Sequence, residues 1–368
     1  MDKIDKIGQI DTPALLIEKS VLEENIRGMQ EFADKHHIGL RPHIKTHRSC
    51  QLAKTQLEAG AVGIAVAKLA EAEVMAAHGI NDIQIANQVV GDIKLARLLE
   101  LSSKAHLTVA VDSLPNANEL HSLFSFHSSR IDVLIEVDTG LHRCGLKSIA
   151  AVRELSWEIL KLKGLNLRGI MTHAGHAYAA ADKDEVAMIG RAEGQLMVEI
   201  ADTLRSEGLT LDVVSVGSTP TARHCGAVKG VTELRVGNYI FNDMLQVDLG
   251  IADISACALT VLATVISKQN NRVVIDAGSK ALALDRGAHG SELVKGYGSI
   301  IGDHRRISRL SEEHGIIDDA GSDFAVGEQM RIIPNHACPV MNLFEQAYLV
   351  DGYNAVDIIY INARGKST

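Results

Sequence analysis

The apolar and polar positions in the first two-thirds of the chain fall into a repeated alternation of short β-branched runs and longer helical stretches. The strand candidates are Leu40–Lys45, Gly63–Ala67, Asp82–Asn87, Leu107–Asp112, Asp132–Asp138, Leu167–His173, Asp212–Gly217 and Glu233–Gly237, eight in all. Ser49–Ala59, Leu69–His78 and Ile189–Glu207, rich in Ala, Leu, Glu and Lys, read as helices between them. Glycine closes two of these, at Ala59-Gly60 and His78-Gly79. Several strands read as apolar runs, the pattern of parallel strands covered on both sides. Eight strand–helix units predict an α/β fold built on a (β/α)8 TIM-type barrel. A doubly wound open sheet is the alternative. It usually carries a Gly-rich turn after its first strand, whereas Thr46, His47 and Arg48 follow here.

After residue 245 the texture changes. Ala258–Ser267 and Arg272–Asp276 are strand-like and flank Gln269-Asn270-Asn271, a hairpin signal. Gln329–Pro334, Gln346–Val350 and Val356–Asn362 continue the pattern with little helix between them. The expected organisation is a barrel over 20–245, followed by a smaller C-terminal β domain made of 1–19 plus 246–368. Pro13–Ile17 is expected to pair with that β domain.

Composition removes several function classes. With 37 Lys and Arg against 46 Asp and Glu, the net charge is −9, which gives no basic surplus for a phosphate backbone and so no nucleic-acid partner. No apolar run approaches the roughly 18 residues of a membrane span, and the charged opening Met1–Pro13 has no apolar core of a secretory signal. Five scattered cysteines form no disulfide framework. The expectation is a cytoplasmic protein with reduced thiols.

Candidate chemistry sits where barrel strands end, the face on which such folds build their sites. Lys45 closes the first strand in Arg41-Pro42-His43-Ile44-Lys45-Thr46-His47. A lysine desolvated there has a lowered pKa and suits Schiff-base chemistry; the plain alternative is a side chain that escapes to the surface. The fifth strand ends in Glu136-Val137-Asp138, followed by Arg143, and the sixth in His173, His176 and Tyr178. Gly217-Ser218-Thr219 and Gly237-Asn238 end the seventh and eighth strands, where barrels often bind phosphate through backbone N–H groups and hydroxyls. A lysine at one strand end and a phosphate cup at two others describe pyridoxal 5′-phosphate. In Pro334–Pro339, an extended backbone places His336 and Cys338 on one side, able to share a divalent metal of the zinc type. A turn with an incidental histidine and a buried cysteine is the alternative.

Together these motifs resemble the D-threonine aldolase / D-serine dehydratase family of pyridoxal-phosphate enzymes, which have an alanine-racemase-like fold. Asp11-Thr12-Pro13, Arg41–His47, Glu136-Val137-Asp138 with Arg143-Cys144-Gly145, Gly217–Thr221, Asp276-Ala277-Gly278, Glu313-His314-Gly315 and Pro334–Cys338 carry the resemblance nearly end to end. It implies that Lys45 carries the cofactor and that Arg143 contacts its ring. It also implies that Ser218, Thr219, Gly237 and Asn238 hold the phosphate, with His173 among the cofactor-binding residues. His336 and Cys338 become ligands of a divalent metal (Zn, Mn or Co), and a homodimer acting on a small D-amino acid is implied as well.

Within the family, His336-x-Cys338 resembles the dehydratases, whereas aldolase-like members usually have His-x-Asp. Aldolase-like members also carry a second histidine after the sixth strand, at the position where Tyr178 falls. His176, two residues away, is the candidate base for an aldolase. The expected reaction is dehydration and deamination of D-serine, D-threonine or D-3-hydroxyaspartate to a 2-oxo acid and ammonia. Lys45 would take the α-proton, with Tyr178 and His176 as further catalytic candidates. The alternatives are a D-threonine aldolase, an amino-acid racemase, a non-catalytic cofactor carrier and a metal-dependent barrel hydrolase. Asp285-Arg286-Gly287 and Glu313-His314-Gly315 either reach a neighbouring subunit's site or form polar turns. Tyr239 and Trp157 are expected to pack, and Lys161-Leu162-Lys163 to end a helix in solvent.

Overall fold

Eight parallel strands close into a barrel whose interior is charged at both ends and apolar across the middle. The computed structural model describes residues 6–288, 293–303, 305–318 and 323–368. After an N-terminal strand, β1 (Ala14–Glu18), and the helix Lys19–His36 come β2 (Gly39–Leu40), β3 (Ile64–Val66), β4 (Asp82–Gln88), β5 (His106–Val111), β6 (Ile131–Val137), β7 (Leu165–Thr172), β8 (Val213–Val216) and β9 (Glu233–Leu234). From β3 to β9 each strand pairs in parallel with the next, and β9 pairs with β2. The ring closes where the Ala65 N–H donates to the Pro42 carbonyl at 2.8 Å, in a parallel bridge between His43 and Ala65.

The strands alternate more than their sequences imply. Ile83, Ile85, Val109, Val111, Val133 and Ile135 are buried in the core shared with the surrounding helices, each such side chain contributing about 2 kcal/mol of burial. Ala110, Leu134 and Met171 form a separate small cluster. At one end Arg41 pairs with Asp82 and Glu233, and Asp132 with His106 and Arg168. Charges placed inside the ring explain why the apolar runs were interrupted.

The first strand is shorter than Leu40–Lys45. It ends at Leu40, and Ile44–Thr46 forms a single 3-10 turn. Pro42 supplies no N–H for the ladder, so Lys45 rides on a turn above the strand end. Trp157 is also not core: it is 41% exposed on the helix Ile149–Leu160. Lys161 caps that helix with its amine in solvent, as expected.

The second sheet contains β10 (Leu259–Gln269), β11 (Arg272–Ile275), β12 (Ser299–Ile300), β13 (Arg309–Leu310), β14 (Gly315–Asp318), β15 (Gln329–Ile333), β16 (Gln346–Asp351) and β17 (Asn354–Tyr360). Its main path runs β13-β14-β11-β10-β1-β16-β17, and β15 adds to β10 and carries β12. β1 lies antiparallel to β10 and parallel to β16, the pairing expected of Pro13–Ile17. Asn270 takes the left-handed φ of 50° that the β10–β11 hairpin requires. One helix, Ala337–Leu343, interrupts the strands between β15 and β16 and packs onto the turn carrying Lys45.

Candidate active site

A cavity of about 520 Å3 opens at the ends of β2, β6, β7, β8 and β9, and the helix Ala337–Leu343 forms part of its wall. Lys45, Arg143, His173, Tyr178, Ser218, Thr219, Gly237, Asn238, His336 and Cys338 all line it. Residues from His43 to Ser367 are thus gathered at one place.

Lys45 sits at the centre. Its backbone N–H donates to His43 Nδ1 at 3.4 Å, and among the described residues its amine has no hydrogen-bond partner. Burial lowers its pKa, and the nearby guanidinium groups of Arg143 and Arg235 act in the same direction against the thiolate of Cys338 and the carboxylate of Glu71. Burial likewise holds His43 well below the ordinary histidine range, with Lys45 adding to the effect. The turn is anchored below by a buried chain. Ser49 N–H donates to His47 Nδ1 at 3.1 Å, His47 Nε2 bonds Gln56 Oε1 at 3.1 Å, and Gln56 donates to the Tyr239 hydroxyl at 2.8 Å.

The cup at the ends of β8 and β9 is built differently from its sequence reading. The Gly217 N–H is taken by buried Glu193 at 2.8 Å, and the Ser218 N–H by Thr221 Oγ1 at 3.1 Å. The Asn238 side-chain amide donates to Asp243 at 2.6 Å. What remains is a group of backbone donors: the N–H groups of Thr219, Gly237 and Asn238 have no partner among the described residues. The Ser218 hydroxyl stands beside them. Three open N–H groups and a hydroxyl fit a phosphate dianion. Gly237 allows the close approach, since a Cβ there would lie 2.8 Å from the His43 carbonyl. A phosphate group at this cup and an aldehyde at the unpartnered Lys45 amine fit pyridoxal 5′-phosphate.

His336 and Cys338 meet, though not through an extended strand. Cys338 lies in the first turn of the helix Ala337–Leu343, and His336 is that helix's N-cap with φ −140° and ψ 111°. From that cap the imidazole lies close enough to the Cys338 sulfur for each group to shift the other's pKa. Burial opposes both charges, yet the pair wins: Cys338 is lowered by His336 and Lys45, and His336 is raised to about 10 by Cys338 and Asp285. Cys338 Sγ also lies 3.3 Å from Thr46 Oγ1. Imidazole nitrogen beside thiolate sulfur is a zinc-type donor set. Among the described residues no third His, Cys, Asp or Glu joins them in a metal cage.

His176 does not line the cavity. Its ring packs against Gly140 on the 3-10 segment Gly175–Ala179, near Asp138. Tyr178 from the same segment does face the cavity, and burial together with Cys338 and Asp243 pushes its phenol above the ordinary tyrosine range. His173 Nδ1 lies 3.3 Å from the Gly217 carbonyl, tying the β7 end to the cup. Arg143 lies at the mouth, half exposed, 3.9 Å from Glu136, which also accepts from Gln88 at 2.7 Å.

Three participants, Arg235, Asp243 and Glu193, are not among the sequence-derived site residues. Arg235 is buried in the cavity wall, donates to the Thr172 carbonyl and lies near Glu136, Glu233 and Glu193. Its signal was a charged residue inside the apolar Leu234-Arg235-Val236. Asp243, the N-cap of the helix Met244–Asp248, was legible only as a cap. Glu193 sits mid-helix in a 24-residue helix and gave no signal. Asp285 was noted only as a polar turn or a partner contact. Its carboxylate instead lies 3.0 Å from His336 Nδ1 of the same chain. Glu313 pairs with Lys280 at 2.7 Å, away from the cavity.

Residues 17–244 match the alanine racemase N-terminal domain family, and residues 258–350 the putative serine dehydratase domain family. The chain is 33% identical to a D-threonine aldolase of Arthrobacter sp, over 99% of this chain and 95% of that one. It is 34% identical to the D-threo-3-hydroxyaspartate dehydratase of Delftia sp. strain HT23, over 95% of this chain and 97% of that one. The solved structure of the Delftia enzyme superposes with a TM-score of 0.91 at 32% identity, covering 97% of this chain and 98% of that one. A cysteine variant of a D-threo-3-hydroxyaspartate dehydratase has been solved in a metal-free form.

Proposed function

The chain belongs to the D-threonine aldolase / D-serine dehydratase family of pyridoxal-phosphate lyases, and on that premise we propose that it dehydrates and deaminates D-3-hydroxy amino acids. D-Serine gives pyruvate and ammonia, and D-threonine gives 2-oxobutanoate and ammonia. One observation carries this reading. His336 and Cys338 line the cavity together with Lys45, and the residue facing it from the segment after β7, where aldolase-like members carry a second histidine, is Tyr178. A phenol whose pKa lies above its ordinary value is a proton donor at neutral pH, not an acceptor.

Thr219, Gly237 and Asn238 would hold the cofactor phosphate by their N–H groups, with Lys45 bonded to its aldehyde. When bound, the cofactor supplies an electron sink for the charge that develops at the substrate Cα. His336 and Cys338 would hold a divalent ion, which supplies Lewis-acid stabilisation of a departing hydroxide worth several kcal/mol. The lowered pKa of Lys45 suits Nζ to accept the α-proton. Arg143 at the mouth, 3.9 Å from Glu136, would orient the bound ring. His43, kept neutral by burial, adds no charge to the cations already near Lys45.

Cleavage to glycine and an aldehyde is the second reading, and it rests on an equally close likeness to an aldolase. It needs a base that would have to be His173 or His43, since His176 lies outside the cavity. The resemblance also assigns a homodimer, for which sedimentation should give two chains per particle. The function is tested on D-serine, D-threonine, D-3-hydroxyaspartate and their L-enantiomers in the presence of zinc or manganese. Ammonia and 2-oxo acid from the D-forms alone are expected. Racemised amino acid with no ammonia would overturn the reading.

A further inference from the structure

Asp285 grips the metal-ligand segment at two consecutive residues. Its Oδ2 lies 3.0 Å from His336 Nδ1. Its backbone carbonyl accepts from the Asn335 side-chain amide at 3.0 Å, and that same amide donates to the Gly296 carbonyl at 2.8 Å. Asn335 is buried, while the Asp285 carboxylate is 44% exposed and the His336 ring 18% exposed. The loop carrying Asp285 is held in turn by Arg286, which donates to the Tyr297 hydroxyl at 3.0 Å and stacks over its ring.

We infer that Asp285 is a positioning residue that fixes the tautomer and orientation of His336 for metal capture. This rests on the metal reading proposed above. A metal-bound imidazole is neutral: one ring nitrogen gives its lone pair to the ion and the other carries the N–H. An ionised carboxylate accepts only, so the nitrogen facing Asp285 must bear the proton. Nε2 is then the nitrogen whose lone pair is left for an ion shared with Cys338. Because only two donors are offered among the described residues, no third described ligand corrects a rotated ring. Orientation by the outer carboxylate therefore weighs more here than in a closed four-ligand site, and loss of such a partner typically costs about 10–100-fold in metal affinity. The same contact explains why Asp285, 51 residues before His336, belongs to this subunit's own site.

The test is zinc titration of cofactor-loaded enzyme against a competing chelating dye, for the parent, Asp285→Ala and Asp285→Asn. Circular dichroism and the visible absorbance of bound cofactor are recorded on each. Asp285→Ala should weaken zinc binding about 10–100-fold with cofactor absorbance unchanged. Asp285→Asn keeps an oxygen acceptor for the Nδ1 proton and should recover most of the affinity. A purely structural role predicts changed stability with unchanged zinc affinity, so an Ala variant that binds zinc like the parent overturns the inference. An Asn variant as weak as the Ala variant overturns the tautomer assignment. A parent enzyme that binds no zinc removes the metal reading itself, and this inference with it.

Discussion

Asp243 accepts the backbone N–H of Ala337 at 2.9 Å, joining the loop after β9 to the helix that carries Cys338. The same oxygen accepts the Asn238 amide at 2.6 Å, while the other takes the Gln246 N–H at 3.2 Å. One fully buried carboxylate thus fixes the phosphate cup and the metal-ligand helix against each other.

Asp243→Ala leaves three buried donors without that acceptor. The expected loss is about 2–4 kcal/mol of folding stability, together with weaker retention of cofactor. Urea unfolding of the cofactor-free protein measures the first. Dialysis of the holoenzyme with absorbance readings measures the second.

Gly237→Ala places a Cβ 2.8 Å from the His43 carbonyl. The β9 loop must then move away from the Lys45 turn. Overpacking of this kind costs about 1–3 kcal/mol, and the cofactor Kd should rise by roughly 5–150-fold. Equilibrium titration with pyridoxal 5′-phosphate gives the value. An unchanged Kd would mean that the two loops need not approach this closely.

His47 imposes an acid limit on the fold. Burial lowers it to about 4 despite its bonds to Gln56 and Ser49, against about 6.5 in the unfolded chain. Below pH 6.5 the unfolded chain takes up a proton that the native state refuses. Stability is therefore complete above about pH 6.5 and falls as pH drops toward 4, by roughly 3 kcal/mol in all. Burial of His43 acts in the same direction. Urea midpoints at pH 7 and pH 4.5 should show the loss, and His47→Gln should flatten the slope.

Much of this was legible because parallel strands feeding helices leave a strong periodic trace. The eight barrel strands, the β1 pairing and the β10–β11 hairpin follow from local pattern. Lys45 stood out because an amine is costly at the end of an apolar strand. The short turn Ile44–Thr46 was hidden by its β-like composition, although Pro42 marked where the ladder stops. The pairing of His336 with Cys338 was anticipated on the wrong backbone. A helix cap brings the two together as a strand would. Asp285 and Glu193 could not be read, because their meaning lies in contacts with residues 51 and 24 positions away. Nothing in the neighbouring sequence encodes those contacts.

Tyr178 should decide how the β-substituent leaves. Tyr178→His supplies an acceptor beside the His336–Cys338 pair, where the phenol now stands. The ratio of glycine to 2-oxobutanoate formed from D-threonine should rise by about a hundredfold, the low end for an added general base. Chromatography of the products tests this. A ratio unmoved by the substitution would place the discriminating group elsewhere in the cavity.

The most direct measurement is the carbon and nitrogen balance on D-threonine with the parent enzyme, loaded with cofactor and a divalent metal. One ammonia and one 2-oxobutanoate for each D-threonine consumed is the predicted outcome. Glycine and acetaldehyde in equal amounts, without ammonia, would contradict it.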